Sequence, residues 1–204
     1  MSLRLSGGRR LQSPPGSTAR PTPARVRQAV MNMLSAELPG SSWLDLCCGS
    51  GVMACEALQR GARRVVAVDQ DRRMVATARS NLTTVAAAQS PPATATVLQN
   101  DVLRWLTQGS ASRSGLGSPG PDGAVVEPPG FDLIYADPPY ASGLYAPLCK
   151  AIAEGNWLRA GGRLLLECAS AELPAIDPPW QLERVRRYGT STVLLLTLQH
   201  GAPA

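Results

Sequence analysis

The 204-residue chain has one lysine (Lys150), one histidine (His200) and one phenylalanine (Phe131). With its only histidine in the C-terminal tail, it offers little to hydrolysis through a histidine base. Uninterrupted apolar runs of the roughly 18–20 residues that span a membrane are missing. No apolar signal core follows the basic N-terminus, so a cytoplasmic location with no membrane partner is expected. The cysteines number five, an odd count, with Cys47 and Cys48 adjacent and no CxxC pair. They read as buried free thiols of a reducing compartment, not a disulfide frame or zinc site, and no metal is expected. Acid is missing from Met1 to Ala36, where Arg4, Arg9, Arg10, Arg20, Arg25 and Arg27 all stand.

What is present sets the class. The net charge of +5 is carried almost wholly by arginine. A coding bias towards arginine explains the scarcity of lysine but not the acid-free opening. Arginine grips phosphate with two parallel hydrogen bonds and stacks on bases, so that opening points to nucleic acid. The length suits one domain with a sizeable core.

The opening "LRLSGGRRLQ" reads as a hairpin turning at Gly7-Gly8. After the connector "PPGSTARP", Thr22 is expected to cap a helix whose first residue is Pro23. Residues 1–40 thus form a basic hairpin and helix, the expected RNA-contacting extension, and 41–204 the main domain. From Trp43, strands alternate with helices: "WLDLCC", "RVVAVD", "TATVLQ", "FDLIYA" and "GGRLLLEC" as strands, with a helix after each of the first four. "WQLERVRRYG" and "TSTVLLLTLQ" close the chain as a hairpin. The expected architecture is α/β, a doubly wound, mostly parallel seven-stranded sheet with an antiparallel C-terminal hairpin. The helix after "TATVLQ" is expected to end near Leu106. Thr107 to Gly130, rich in Gly, Ser and Pro, is expected to be a mobile insertion.

Two stretches carry chemistry. In "LDLCCGSG", Gly49 and Gly51 with Ser50 between them allow a sharp turn and a close backbone approach to a ligand at the carboxyl ends of the strands. Ala54 stands at the third glycine position of the dinucleotide fingerprint, a substitution which that fingerprint admits, so a nicotinamide oxidoreductase stays open. Asp45, just before the turn, suits a cationic ligand better than a pyrophosphate. Asp69 ends the second strand, where an acid accepts from ribose hydroxyls. Asp101 follows the third strand, placed to accept from an adenine amino group. Acids at successive strand ends match the sulfonium, ammonium and adenosine of S-adenosylmethionine. Asp71 reads as a helix cap.

The second stretch is "ADPPY". Proline pushes the residue before it towards extended geometry, so Asp137-Pro138-Pro139 is stiff. The Asp137 carboxylate and the Pro138 carbonyl can face a cleft as two acceptors, with Tyr140 beyond to stack an unstacked base. Two acceptors favour a tetrahedral amine nitrogen and stabilise its developing positive charge. Whether Asp137 also takes the proton is left open by the residues. The same letters recur at Asp177-Pro178-Pro179-Trp180. No strand-length apolar run precedes that copy, which reads as a connector.

In this order, "RLSGGRRL", "RPTPARVRQAVMNML", "LDLCCGSGVMACEAL", "VVAVDQD", "QNDVLRWL" and "FDLIYADPPY" resemble the RsmD family of class I S-adenosylmethionine-dependent methyltransferases. The resemblance spans most of the chain outside the insertion. It implies methylation of a guanine N2 amine in 16S ribosomal RNA, in an assembled or assembling small subunit, by a monomer. It also implies a cofactor turn of Asp45, Gly49, Ser50 and Gly51, with Asp69 at the ribose and Asp101 near the adenine. Asp137, Pro138 and Tyr140 would hold the target, and Arg9, Arg10, Arg20, Arg25 and Arg27 would contact RNA. Cys47-Cys48 and the insertion depart from the family's pattern. The rival expectations are an adenine-N6 methyltransferase of DNA or RNA and a non-catalytic RNA-binding assembly factor.

Overall fold

The structure is a computed structural model and describes residues 3–14, 22–114 and 130–199. Seven strands, β1 (Ser42–Leu46), β2 (Arg64–Asp69), β3 (Thr94–Gln99), β4 (Phe131–Ala136), β5 (Leu158–Ala169), β6 (Trp180–Tyr188) and β7 (Ser191–Leu198), form one sheet in the order β3-β2-β1-β4-β5-β7-β6. The first five pair in parallel, and β7 runs antiparallel between β5 and β6. The helices are α1 (Ala24–Met33), α2 (Val52–Gln59), α3 (Arg72–Ala87), α4 (Val102–Ser114) and α5 (Tyr145–Glu154).

Near-continuous apolar strands need cover on both faces, and the helices supply it. Trp43, Val65, Ala67, Leu133, Tyr135 and Leu165 pack on the side of α1, α2 and α3. Their neighbours Leu44, Val66, Val68, Ile134, Ala136 and Leu164 pack on the side of α4 and α5. Side chains alternate between faces along a strand, so the parity of these numbers assigns each strand-end residue to a face. The order reverses beside β1, which lies between β2 and β4, and ligands of doubly wound sheets bind at the carboxyl edge of such a point.

The N-terminal hairpin forms, with an antiparallel bridge between Arg4 and Arg10. Leu5 and Leu11 enter the same core as Val26, Val30 and Leu34 of the α1 segment and Leu58 of α2. Beneath it lies an ion pair. Arg27 Nε meets Glu56 Oε1 at 3.3 Å, with the side chains 6% and 0% exposed. The same guanidinium donates to the Thr22 and Arg4 carbonyls at 2.8 and 2.6 Å. Glu56 Oε1 also accepts from Ser6 N and Oγ. Arg27 therefore cannot serve as an RNA contact: it is spent inside the fold, stitching hairpin, α1 and α2 together. Arg9, Arg10 and Arg25 are exposed, and Arg20 lies outside the described residues.

Two boundaries differ from expectation. Pro23, not Thr22, is the N-cap of α1, with φ −56° and ψ 143°, and no side chain caps it. The Pro23 carbonyl takes Val26 N and Arg27 N, while the Thr22 hydroxyl is directed elsewhere. Further on, α4 continues to Ser114, eight residues into the expected insertion. Asp101 caps its start by accepting from Arg104 N at 2.8 Å. Thr107 bonds back to the Leu103 and Arg104 carbonyls, and the Gly109 backbone is close enough that an added Cβ would strike the Trp157 ring at 2.5 Å. Tertiary packing thus carries the helix through weak formers. The rest of the expected insertion up to residue 129 lies outside the described residues.

Removing one member of a buried, hydrogen-bonded pair leaves an uncompensated charge, costing about 3–5 kcal/mol. Arg27→Ala is expected to lower stability by about that amount in urea unfolding, whereas Arg25→Ala stays close to wild type.

Candidate active site

The carboxyl edge of the parallel strands holds a cavity of about 590 Å³, within the range of small-ligand sites. Gly49, Ser50, Asp69, Asp137, Pro138 and Tyr140 line it, as do Thr22, Cys47, Cys48, Glu167 and Ser191.

On one side lies the turn after β1. Cys47 leaves the strand with φ +59°, and Gly49 and Gly51 follow at φ +52° and +73°, which favours glycine at the latter two positions. An added Cβ on Gly51 would also come within 3.1 Å of Ala78 on α3. Gly49 N donates to Asp69 Oδ2 at 2.8 Å, and Asp71 N to Asp69 Oδ1 at 2.9 Å. The Asp69 carboxylate is thus fixed at the end of β2 by one backbone N–H on each oxygen, and each oxygen keeps a second lone pair. Asp71 caps α3, accepting from Arg73 N and Met74 N.

Three residues expected at the cofactor do not line the cavity. Asp45 is 1% exposed, and its carboxylate accepts from Ala54 N at 3.0 Å, inside the first turn of α2. It holds the glycine turn from beneath. Burial, with the neighbouring Asp69 charge adding to it, pushes its pKa up to about 8 against the opposing bond from Ala54. Gly51 faces α3. Asp101 is the α4 cap, close enough to act on the Cys47 thiol through its charge.

On the other side lies the end of β4. Asp137 N donates to the Leu46 carbonyl at 3.3 Å, tying the Asp-Pro-Pro step to β1. Pro138 is buried, while Tyr140 is 41% exposed with its hydroxyl 2.9 Å from Ser191 Oγ at the start of β7. Asp137 Oδ2 accepts from Thr22 Oγ1 at 3.4 Å, a contact spanning 115 residues of sequence. Burial, then the charges of Glu167 and Asp45, raise the Asp137 pKa well above the ordinary carboxylate range, against the Thr22 bond. Glu167 is 2% exposed and accepts from the buried Tyr135 hydroxyl.

Thr22 and Glu167 were missed as site residues. Thr22 gave no signal, because its partner is remote in sequence. Glu167 gave one: an acid inside the apolar run "RLLLECA" is costly unless something uses it. The second Asp-Pro-Pro-aromatic copy is the expected connector between β5 and β6. Its Asp177 carbonyl accepts from Trp180 N in a turn, and the Trp180 ring is buried against the α5 side of the sheet.

The model of the family described as Conserved hypothetical protein 95 matches residues 5–115 and 122–197. YlbH of Bacillus subtilis is 30% identical over 92% of each chain. Ribosomal RNA small subunit methyltransferase D of Escherichia coli is 26% identical over 89% of this chain and 81% of its own.

The chain belongs to the RsmD family.

The solved structure of Escherichia coli YhhF superposes with a TM-score of 0.75 at 24% identity, covering 98% of this chain and all of the other. The fold of this RsmD-family chain is therefore that of class I methyltransferases, with the sheet order and terminal hairpin given above.

The buried Asp45 of this RsmD-family protein yields a signed prediction. A carboxyl with a folded pKa near 8 keeps a proton, between about pH 4 and pH 8, that the unfolded chain has lost. Stability contributed by that proton is full below pH 4 and is lost as pH rises through 8. Asp45→Asn keeps an acceptor for Ala54 N and does not titrate. The variant should gain on wild type, in urea midpoint, as pH rises from 5 to 8. A pH-independent difference would show that Asp45 is ionised in the folded protein across that range.

Proposed function

We propose that this protein transfers a methyl group from S-adenosylmethionine to the exocyclic N2 amine of a guanine in 16S ribosomal RNA, in the small subunit and in the cytoplasm. The observation that carries the reading is the facing arrangement across one cavity. A glycine turn and the fixed Asp69 carboxylate stand on one wall, and Asp137, Pro138 and Tyr140 on the other. The name of the Escherichia coli relative supports ribosomal RNA as substrate, and the exposed Arg9, Arg10 and Arg25 supply sequence-independent phosphate contacts.

The residues present fit the cofactor. Asp69 has lone pairs for the two ribose hydroxyls, and the backbone of Cys48, Gly49 and Ser50 lies open to the cavity for close approach. When bound, S-adenosylmethionine supplies an electrophilic methyl group on a sulfonium. Asp45 acts on this wall indirectly, by holding α2 and the turn in register.

The opposite wall handles the base. Tyr140, tethered through Ser191, offers a ring for stacking, worth about 1–3 kcal/mol for one base. The Asp137 carboxylate and the Pro138 carbonyl each accept one N–H of the amine. Those bonds favour a tetrahedral nitrogen, aim its lone pair across the cavity and stabilise the positive charge that develops there. Thr22 fixes the Asp137 rotamer from the N-terminal segment. Hydrogen bonds from the amine favour the ionised carboxylate. The proton affinity that burial and Glu167 lend Asp137 then makes it the acceptor of the amine proton once the methyl group is bonded.

The test is transfer of labelled methyl from S-adenosylmethionine to small ribosomal subunits, naked ribosomal RNA and duplex DNA, followed by digestion to nucleosides. N2-methylguanosine from ribosomal RNA is expected. N6-methyladenine would overturn the base assignment, and no transfer to any substrate would leave a binding role. Asp137→Ala should lower transfer by about 10²–10³-fold or more, the scale of losing a charge-stabilising group, with cofactor affinity by calorimetry nearly unchanged.

A further inference from the structure

The catalytic wall contains a second acid that the mechanism above does not use. β4 and β5 are parallel neighbours, with Ala136 alongside Leu166, so Asp137 and Glu167 follow side by side. Tyr135 and Leu165 pack on the α1–α3 side, and two residues further along each strand the pleat returns to that face. Asp137 and Glu167 therefore project to the same side, and both line the cavity. Their charges act on one another. Adjacent strands lie about 4.8 Å apart, so the two carboxylates are within reach of one planar base.

A purely architectural role explains this poorly. Glu167 does hold the Tyr135 hydroxyl, but a neutral amide would accept that bond without placing a second buried carboxyl beside Asp137. Like charges in one site raise the cost of ionising either group. The cost is offset by a ligand that presents several N–H donors in a row. Among the bases, the guanine edge does so, with N1–H next to the two N–H of the N2 amine. Adenine and cytosine present an amine beside a bare ring nitrogen, whose lone pair would face the carboxylate.

Taking the proposed guanine reaction as its basis, we infer that Glu167 is a specificity-determining residue: its carboxylate accepts the N1–H of the target guanine while Asp137 and Pro138 hold the N2 amine. A carboxylate offers about four lone-pair directions, so the bond from Tyr135 does not exhaust it. Sites built around a hydrogen bond to an N–H reject the analogue lacking it by factors reaching about 10⁴, because the buried acceptor is left unpaired.

The probe is a ribosomal RNA substrate carrying 2-aminopurine at the target position. That base keeps the amine and has a bare N1. Wild-type protein should methylate the guanine substrate at least about 100-fold better in kcat/KM than the 2-aminopurine one. Glu167→Gln keeps an acceptor for Tyr135 and adds an amide N–H that can serve a bare N1. Its preference for guanine should collapse by about 10-fold or more, with a smaller loss on guanine than gain relative to 2-aminopurine. Tyr135→Phe, which removes only the architectural bond, should lower both rates together and leave the ratio unchanged. Equal wild-type rates on the two substrates would overturn the inference without any variant, as would a Glu167→Gln ratio equal to that of wild type. If wild-type protein labels no guanine at all, it is the proposed reaction that fails.

Discussion

The buried Arg27–Glu56 pair is the constraint on which the site's geometry rests. Each partner would be costly alone, and their shared hydrogen bonds reach the first residues of the chain, the start of α1 and the middle of α2. With that knot in place, Thr22 has little freedom. Its carbonyl is held by Arg27 and its hydroxyl meets Asp137. The basic segment is thereby continuous with the catalytic wall, and whatever the exposed arginines grip is brought into register with the acceptors at the end of β4.

The remaining geometry comes from pleat and topology. Asp69, Asp45, Asp137 and Glu167 come from four adjacent strands, β2, β1, β4 and β5, and share the parity that faces α1–α3. Asp45 lies deeper than the others, which turns it from a ligand contact into a support for α2. Ser191 extends the row onto β7 and reaches Tyr140. An antiparallel strand begins at the edge where its parallel neighbours end, so the terminal hairpin contributes to the cavity as well as closing the sheet.

Much of this was legible in the order of residues. Alternating apolar runs and glycine turns give the seven strands, and the strand context of Asp137 separates it from the copy at Asp177. Local rules sufficed for Asp71, whose capping bonds lie within three residues. They failed where the deciding partner is distant. Arg27 looked like one more surface cation, because nothing nearby announces Glu56, 29 residues later. Asp101 and Asp45 were placed at the correct edge of the sheet, but their side chains turn to helix N–H groups, a competition that position alone does not settle. The helical residues 107–114 looked like loop because their composition is weak, and it is the Trp157 contact at Gly109 that outweighs it.

Cys47 shows what the ring of acids does besides binding. Its thiol lines the cavity, and burial with the charges of Asp69, Asp137, Asp45 and Asp101 pushes its pKa up to about 12. Sulfur attacks carbon as the thiolate, and a thiol held neutral is a poor nucleophile. On the proposed chemistry a strongly alkylating donor is housed beside this side chain. The carboxylates arranged to draw in the nucleic-acid amine also silence the competing sulfur, so the protein is shielded from alkylating itself.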